Sequence, residues 1–140
     1  MAAFEPTSGP VEHTDRALRR VSQVLVIADP KAALGFRASS AAFLDDGDGS
    51  AMSAYLASVM SQVGLGLESV VYGKPSGWAV AAIPVATLRQ EEQEVIRDPI
   101  VDSPSPHPCD PAHALIVGEK KPKGRRERIS QASPLVYLVS

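Results

Sequence analysis

The stretch from Asp98 to Gly118, DPIVDSPSPHPCDPAHALIVG, restricts what this chain can fold into more than any other part of it. Pro99, Pro104, Pro106, Pro108 and Pro111 each fix φ and remove a backbone donor. Neither a helix nor a long sheet ladder can therefore be sustained before about Ala112. The same stretch holds the single cysteine, Cys109, together with His107 and His113, and then runs into the apolar HALIVG. It reads as a rigid crossing that delivers His113 and a strand, Ala114 to Gly118, into a sheet.

The segments on either side supply the remaining elements. Residues 1–12 mix Pro, Gly, Ser and Thr without periodicity and read as a flexible tail ahead of one domain over 13–140. Arg16 to Arg20 reads as a short polar helix, and Val21 to Ala28, VSQVLVIA, as the first core strand, stopped by Asp29-Pro30. Lys31 to Phe43 suggests a short helix followed by an extended segment. Met52, Tyr55, Leu56, Val59, Met60 and Val63 make an apolar stripe at helical spacing, with Ser50 placed to cap it and Gly64 to end it. Ser69 to Tyr72 and Gly77 to Ile83 read as a hairpin across Gly73 to Ser76. Pro84 to Glu94 reads as a surface helix with proline in its first turn, and Val95 to Val101 as extended. Arg125 to Ala132 reads as a short helix, and Pro134 to Ser140 as a strand inserted in a sheet, because left in water it would present an aggregating edge. The expected class is α+β: a mixed or mainly antiparallel sheet of five to six strands with two to three helices packed on it.

Composition narrows the setting. One cysteine cannot form an internal disulfide, the N-terminus lacks a secretory pattern, and no apolar run approaches the roughly 18 residues of a membrane helix. A cytoplasmic protein with no membrane contact is expected. The net charge of -2 conceals an asymmetry. Lys120, Lys121, Lys123, Arg125, Arg126 and Arg128 stand against Glu127 alone, a local +5, so the rest of the chain sums to -7.

Three chemistries compete at these residues. His107, Cys109 and His113 could form a Cys-His nucleophilic pair, with Cys109 as the candidate catalytic residue and either imidazole as its base. A thiolate is normally favoured by positive neighbours, whereas Cys109 sits between prolines with Asp110 beside it. The same residues offer three zinc ligands and no fourth, so neither a metal nor any other cofactor is expected. The basic residues of 120–128 could neutralise phosphates of a nucleic acid, yet no aromatic residue is interleaved to stack bases. Asp46-x-Asp48-x-Ser50 begins like a calcium loop and then places Ala51 and Ala57 where glycine and a bidentate glutamate belong. The glycines at 64, 66, 73 and 77 lack phosphate-loop spacing.

Three motifs carry a resemblance: S-S-A-A-F (Ser39 to Phe43), G-W-A-V (Gly77 to Val80), and D-P-I-V (Asp98 to Val101) followed by P-A-H-A-L-I (Pro111 to Ile116). Together they resemble a set of small bacterial proteins without an assigned activity, in which a proline-rich loop leads into N-P-A-H-A-x-I. This chain departs from them in two places. Asp110 replaces the asparagine, and Ile27-Ala28-Asp29-Pro30 keeps only the proline of an R-Q-V-H-P strand end. Any polar site at that arginine and histidine is therefore lost here. The resemblance implies a bacterial α+β domain. The resulting expectation is a non-enzymatic protein that binds another macromolecule within a multi-protein system, through a protein partner or a second copy of itself. A nucleic-acid contact module and a Cys-His hydrolase or transferase are the alternatives.

Overall fold

The computed structural model describes residues 9–45 and 51–140. In a single α+β domain, one six-stranded antiparallel sheet is accompanied by a two-stranded hairpin and three helices. The strands are β1 (Arg16–Val21), β2 (Val26–Ala28), β3 (Phe36–Ala38), β4 (Met52–Leu56), β5 (Ala79–Pro84), β6 (Gln93–Arg97), β7 (His113–Gly118) and β8 (Leu135–Leu138). The helices are α1 (Ala57–Gln62), α2 (Val85–Gln90) and α3 (Lys123–Gln131). The main sheet runs β6-β7-β4-β1-β5-β8, and β2 pairs with β3 apart from it.

β1 lies at the centre of the sheet. It pairs with β5 from Arg16 opposite Pro84 to Val21 opposite Ala79, and with β4 at Ala17–Leu56 and Leu18–Tyr55. Its arginines made it read as a polar helix, and the structure corrects that. Arg19 lies within the sheet because its guanidinium reaches backbone acceptors, donating to the carbonyls of Ala42, Leu44 and Ser53. A charge-assisted bond to each carbonyl offsets the desolvation that a central strand imposes. Five consecutive residues of β5, Ala79 to Ile83, are buried, so both faces of the sheet are covered there. Alanines at 17, 54, 79, 81, 82 and 114 keep the layers close.

The stripe from Met52 to Val63 is half strand and half helix. Met52, Ala54 and Leu56 alternate along β4, and Tyr55 is buried on its other side, so a strand covered on both faces mimics helical spacing. The chain then enters α1 without a loop. Val21 to Ala28 is likewise two pieces, because a 3-10 turn at Gln23–Leu25 breaks it and β2 leaves the main sheet. Within 31–43 the order is reversed, with β3 preceding a 3-10 turn at Ser40–Phe43. Ser69 to Tyr72 falls in a 3-10 turn, Leu67–Val71, rather than a strand, so β5 has no hairpin partner there. It pairs instead with β1 and β8. The strand at His113 to Gly118 is found as expected, and the helix expected over 125–132 is α3, starting at Lys123. The helix expected over 84–94 is shorter, because α2 ends at Gln90 and Gln93 and Glu94 already belong to β6. The C-terminal segment does join the sheet as β8, but at its edge.

Of the tail expected over 1–12, residues 1–8 lie outside the described residues, as do the acidic turn 46–50 and the Ser50 cap. Gly9 to Val11 are held in place. Arg97 donates to the carbonyls of Gly9 and Pro10, and Arg89 to that of Val11, whose side chain is buried.

Asp15 sets where two helices begin. Neither α1 nor α2 has a capping side chain at its own N-cap, Leu56 and Pro84. Asp15 supplies the acceptor from a distance: its carboxylate takes the amide of Ser58 at 3.1 Å and the Ser58 hydroxyl. Its carbonyl takes the amide of Val85 at 3.1 Å. An acidic side chain at orphan amides also complements the helix dipole. Asp15→Ala is expected to lower the free energy of unfolding by about 1–3 kcal/mol, and Asp15→Asn by less, because the amide keeps one acceptor oxygen. Urea titration of the three proteins checks this.

Candidate functional site

The proline-rich crossing is an ordered turn built on reciprocal hydrogen bonds. The amide of His107 donates to Asp110 Oδ2 at 3.0 Å, and the amide of Asp110 donates to the His107 carbonyl at 3.0 Å. Pro111 then starts a 3-10 turn over Asp110–Ala112 that leads into β7. This places His107 on Tyr55, with ring centroids 5.3 Å apart and planes 8° from parallel. Tyr72 meets the same imidazole edge-on at 6.0 Å. His113, opposite Tyr55 in the β4–β7 ladder, meets the phenol edge-on at 5.7 Å. Tyr55 is thus fixed between two imidazoles.

The cluster brings together the three residues considered for nucleophilic chemistry but not in a reactive arrangement. The backbone amide of Cys109 donates to His107 Nδ1 at 3.0 Å, so that lone pair is already taken. The proton of neutral His107 then belongs on Nε2, which is buried and has no hydrogen-bond partner among the described residues. Burial, with Arg20 and Lys74 adding repulsion, moves the His107 pKa below its ordinary value. His113 Nδ1 lies 3.0 Å from the Asp98 carbonyl and 3.1 Å from Asp98 Oδ2, so it donates to both. Cys109 is fully buried, and burial pushes its thiol up to about 11, with Asp110 adding to the rise and Arg20 opposing it. The thiol is protonated at neutral pH, and the Nδ1 lone pair of His107, its neighbour in the turn, is already engaged by the Cys109 amide. Among the described residues no three His, Cys, Asp or Glu side chains converge as metal ligands.

The basic segment is mostly occupied within the chain. Lys121 is buried in an ion pair with Asp45. Arg128 holds Glu91 at 2.8 Å, Arg125 lies 3.7 Å from the same carboxylate, and Lys123 lies 3.9 Å from Glu127. The Arg128 hydrogen bond keeps the Glu91 carboxyl below its usual range. Of the six basic residues, Lys120 and Arg126 lack an acidic partner among the described residues. With Asp45 and Glu91 counted beside it, the local +5 falls to +3.

Two concave regions are formed by the described residues. One is a groove of about 760 Å3 between the β2–β3 hairpin, α3 and the start of β8, with Ile27, Phe36 and Leu135 in its wall. The hairpin beside it exposes Val24 (86%) and Leu34 (42%), and Ile27 (37%) and Phe36 (36%) lie at its rim. Ser130 Oγ donates to the Ala38 carbonyl at 2.8 Å and ties α3 to β3. The other is a cavity of about 420 Å3 beside the end of β1, lined by Arg20, Tyr55 and Trp78 among others. From sequence only Trp78 is weighed as a contact residue, and it reads as core rather than as a stacking platform. The signal for Arg20 is a pair of arginines set between the apolar Ala17-Leu18 and Val21, which marks a strand carrying charge.

Cys109 gives a measurable consequence. The native state keeps the thiol proton to about pH 11, whereas the unfolded chain releases it near its ordinary value of about 9. The contribution to stability is complete below pH 9 and is lost as pH rises from there to about 11. Wild type is expected to lose stability across that interval more steeply than Cys109→Ala, by on the order of 2 kcal/mol in the difference, read by urea titration at stepped pH. A thiol reagent at pH 8 should label the folded protein far more slowly than the unfolded one.

No family model matches the chain, and no curated protein or solved structure matches it.

Proposed function

We propose that this chain is a non-enzymatic binding protein whose partner is another protein, docked along the β2–β3 hairpin and the groove it forms with α3. The exposed apolar hairpin is the observation that supports this reading. A two-stranded hairpin is marginal by itself and gains by burying its side chains. Here Ile27 of β2 and Phe36 of β3, with Val24 in the 3-10 turn before β2 and Leu34 in the turn between the strands, lie at the surface. An apolar patch rimmed by polar residues is typical of protein contact surfaces.

The charges around the groove specify the type of partner. Arg37 lies 3.8 Å from Asp29, and Lys123 lies near Glu127, so both signs alternate along the rim. A mixed rim suits a protein surface, whereas a polyanion requires unopposed cations. The pairing of Lys121, Arg125 and Arg128 weakens the nucleic-acid reading for the same reason. The buried Cys109 thiol and the engaged imidazoles weaken the hydrolase reading.

The setting we propose is the cytoplasm of a bacterial cell, within a multi-protein system, in keeping with the motif resemblance and the single cysteine. Among the described residues no helix is long and apolar enough to cross a membrane.

The test is co-purification from native cells of wild type, Ile27→Asp, Phe36→Asp and the distal surface control Ile96→Asp. A partner retained by wild type and Ile96→Asp should be lost about tenfold or more by the two hairpin variants. A complex indifferent to the hairpin variants, but dissolved by nuclease and by Lys120→Glu with Arg126→Glu, would replace this reading with the nucleic-acid one.

A further inference from the structure

We propose that the cavity at the end of β1, between β4 and Trp78, binds a small organic anion: a carboxylate or phosphate group carried on an apolar or aromatic body. The volume of about 420 Å3 is within the range of small-molecule sites. Its polar and apolar walls indicate the two halves of the ligand separately.

Arg20 supplies the charge. It is half-buried in the central sheet and, among the described residues, has neither a hydrogen-bond acceptor nor a carboxylate partner. Its neighbour Arg19 differs, since that guanidinium is engaged by three carbonyls. A guanidinium presents donors in a planar fork that matches a carboxylate or phosphate in two bonds at once. Asp45, the acid at the rim, is held by Lys121.

Tyr55 supplies a second donor. Its hydroxyl has no hydrogen-bond partner among the described residues, and the ring cannot turn away, being stacked on His107 and met edge-on by His113. Burial raises the phenol pKa, so the hydroxyl keeps its proton for donation. The remainder of the wall is mixed: Ser22, Ser53 and Asp45 form its polar part, and Leu25, Leu44 and Trp78 its apolar part. Lys74 lies 4.6 Å from the centre of the Trp78 ring, a second cation near the apolar part. Inorganic phosphate alone would leave that part uncovered, so an attached apolar body is favoured.

Trp78 is the only tryptophan, so its fluorescence reports directly on the cavity. The full chain is titrated with phenyl phosphate, benzoate and inorganic phosphate, alongside Arg20→Gln, Arg20→Lys, Tyr55→Phe and the control Arg16→Gln at the exposed opposite end of β1. Wild type and Arg16→Gln should give a saturable change with phenyl phosphate or benzoate at lower concentration than with inorganic phosphate. Arg20→Gln should raise the apparent Kd about tenfold or more, Arg20→Lys less, and Tyr55→Phe a few-fold. Whichever aromatic anion displaces the other at lower concentration identifies the headgroup. The proposal is overturned if wild type shows no saturation with either aromatic anion up to about 10 mM, or if folded Arg20→Gln responds as wild type does. Should Arg20→Gln fail to fold, an unchanged Kd in both Tyr55→Phe and Arg20→Lys has the same effect.

Discussion

The carboxylate of Asp15 fixes the relation between the sheet and the layer that covers it. One residue before β1, it accepts the Arg16 amide and the amide and hydroxyl of Ser58, while its carbonyl accepts the Val85 amide. α1 follows β4 directly and α2 follows β5 directly, so neither helix has a loop in which to place its own cap. Three consecutive strands of the sheet, β4, β1 and β5, are thereby held in register at one end. The Tyr55 cluster and the 420 Å3 cavity both lie against those strands, so their geometry derives from this junction.

Polar groups inside the sheet are arranged by what remains within reach. Arg19 and Arg20 are adjacent in sequence and point in opposite directions along a pleated strand. The first is satisfied by carbonyls and has a structural role; the second meets Tyr55 and open space. His107, Cys109 and His113 follow the same logic. Each nitrogen used in the turn is unavailable for chemistry, and the thiol is enclosed with them. The two imidazoles of this cluster brace one phenol, that of Tyr55.

The parts of the fold legible in the sequence were those where local pattern and tertiary surroundings agree. HALIVG is apolar, short and preceded by proline, and it is a strand. KGRRERISQ, behind Pro122, is a helix. The class and strand number followed from such segments. Arg16 to Val21 was not legible, because its charges are offset by distant carbonyls of Ala42, Leu44 and Ser53. Met52 to Val63 was misread because a strand buried on both faces and a helix share apolar positions until the point of transition. The candidate residues of the proline-rich loop do come together, yet their hydrogen-bond partners, which decide reactivity, were invisible at sequence level. Lys120 to Arg128 likewise shows its charge in sequence and its neutralising partners, Asp45 and Glu91, only in space.

The strand order has a consequence for how the chain reaches this state. Strands adjacent in the centre of the sheet are distant in sequence: Val21 faces Ala79, and Met52 faces Ile116. Long closures must form before those ladders return any free energy, which slows folding. On a ribosome the β1–β5 pair cannot close until Pro84 has emerged, and β7 cannot join β4 until Gly118 has. The β2–β3 hairpin closes over the seven positions between Ala28 and Phe36 and needs none of this. Its closure is local and fast, but three residue pairs are marginal by themselves, so the hairpin persists only once α3 and β8, far later in the chain, have come to rest beside it.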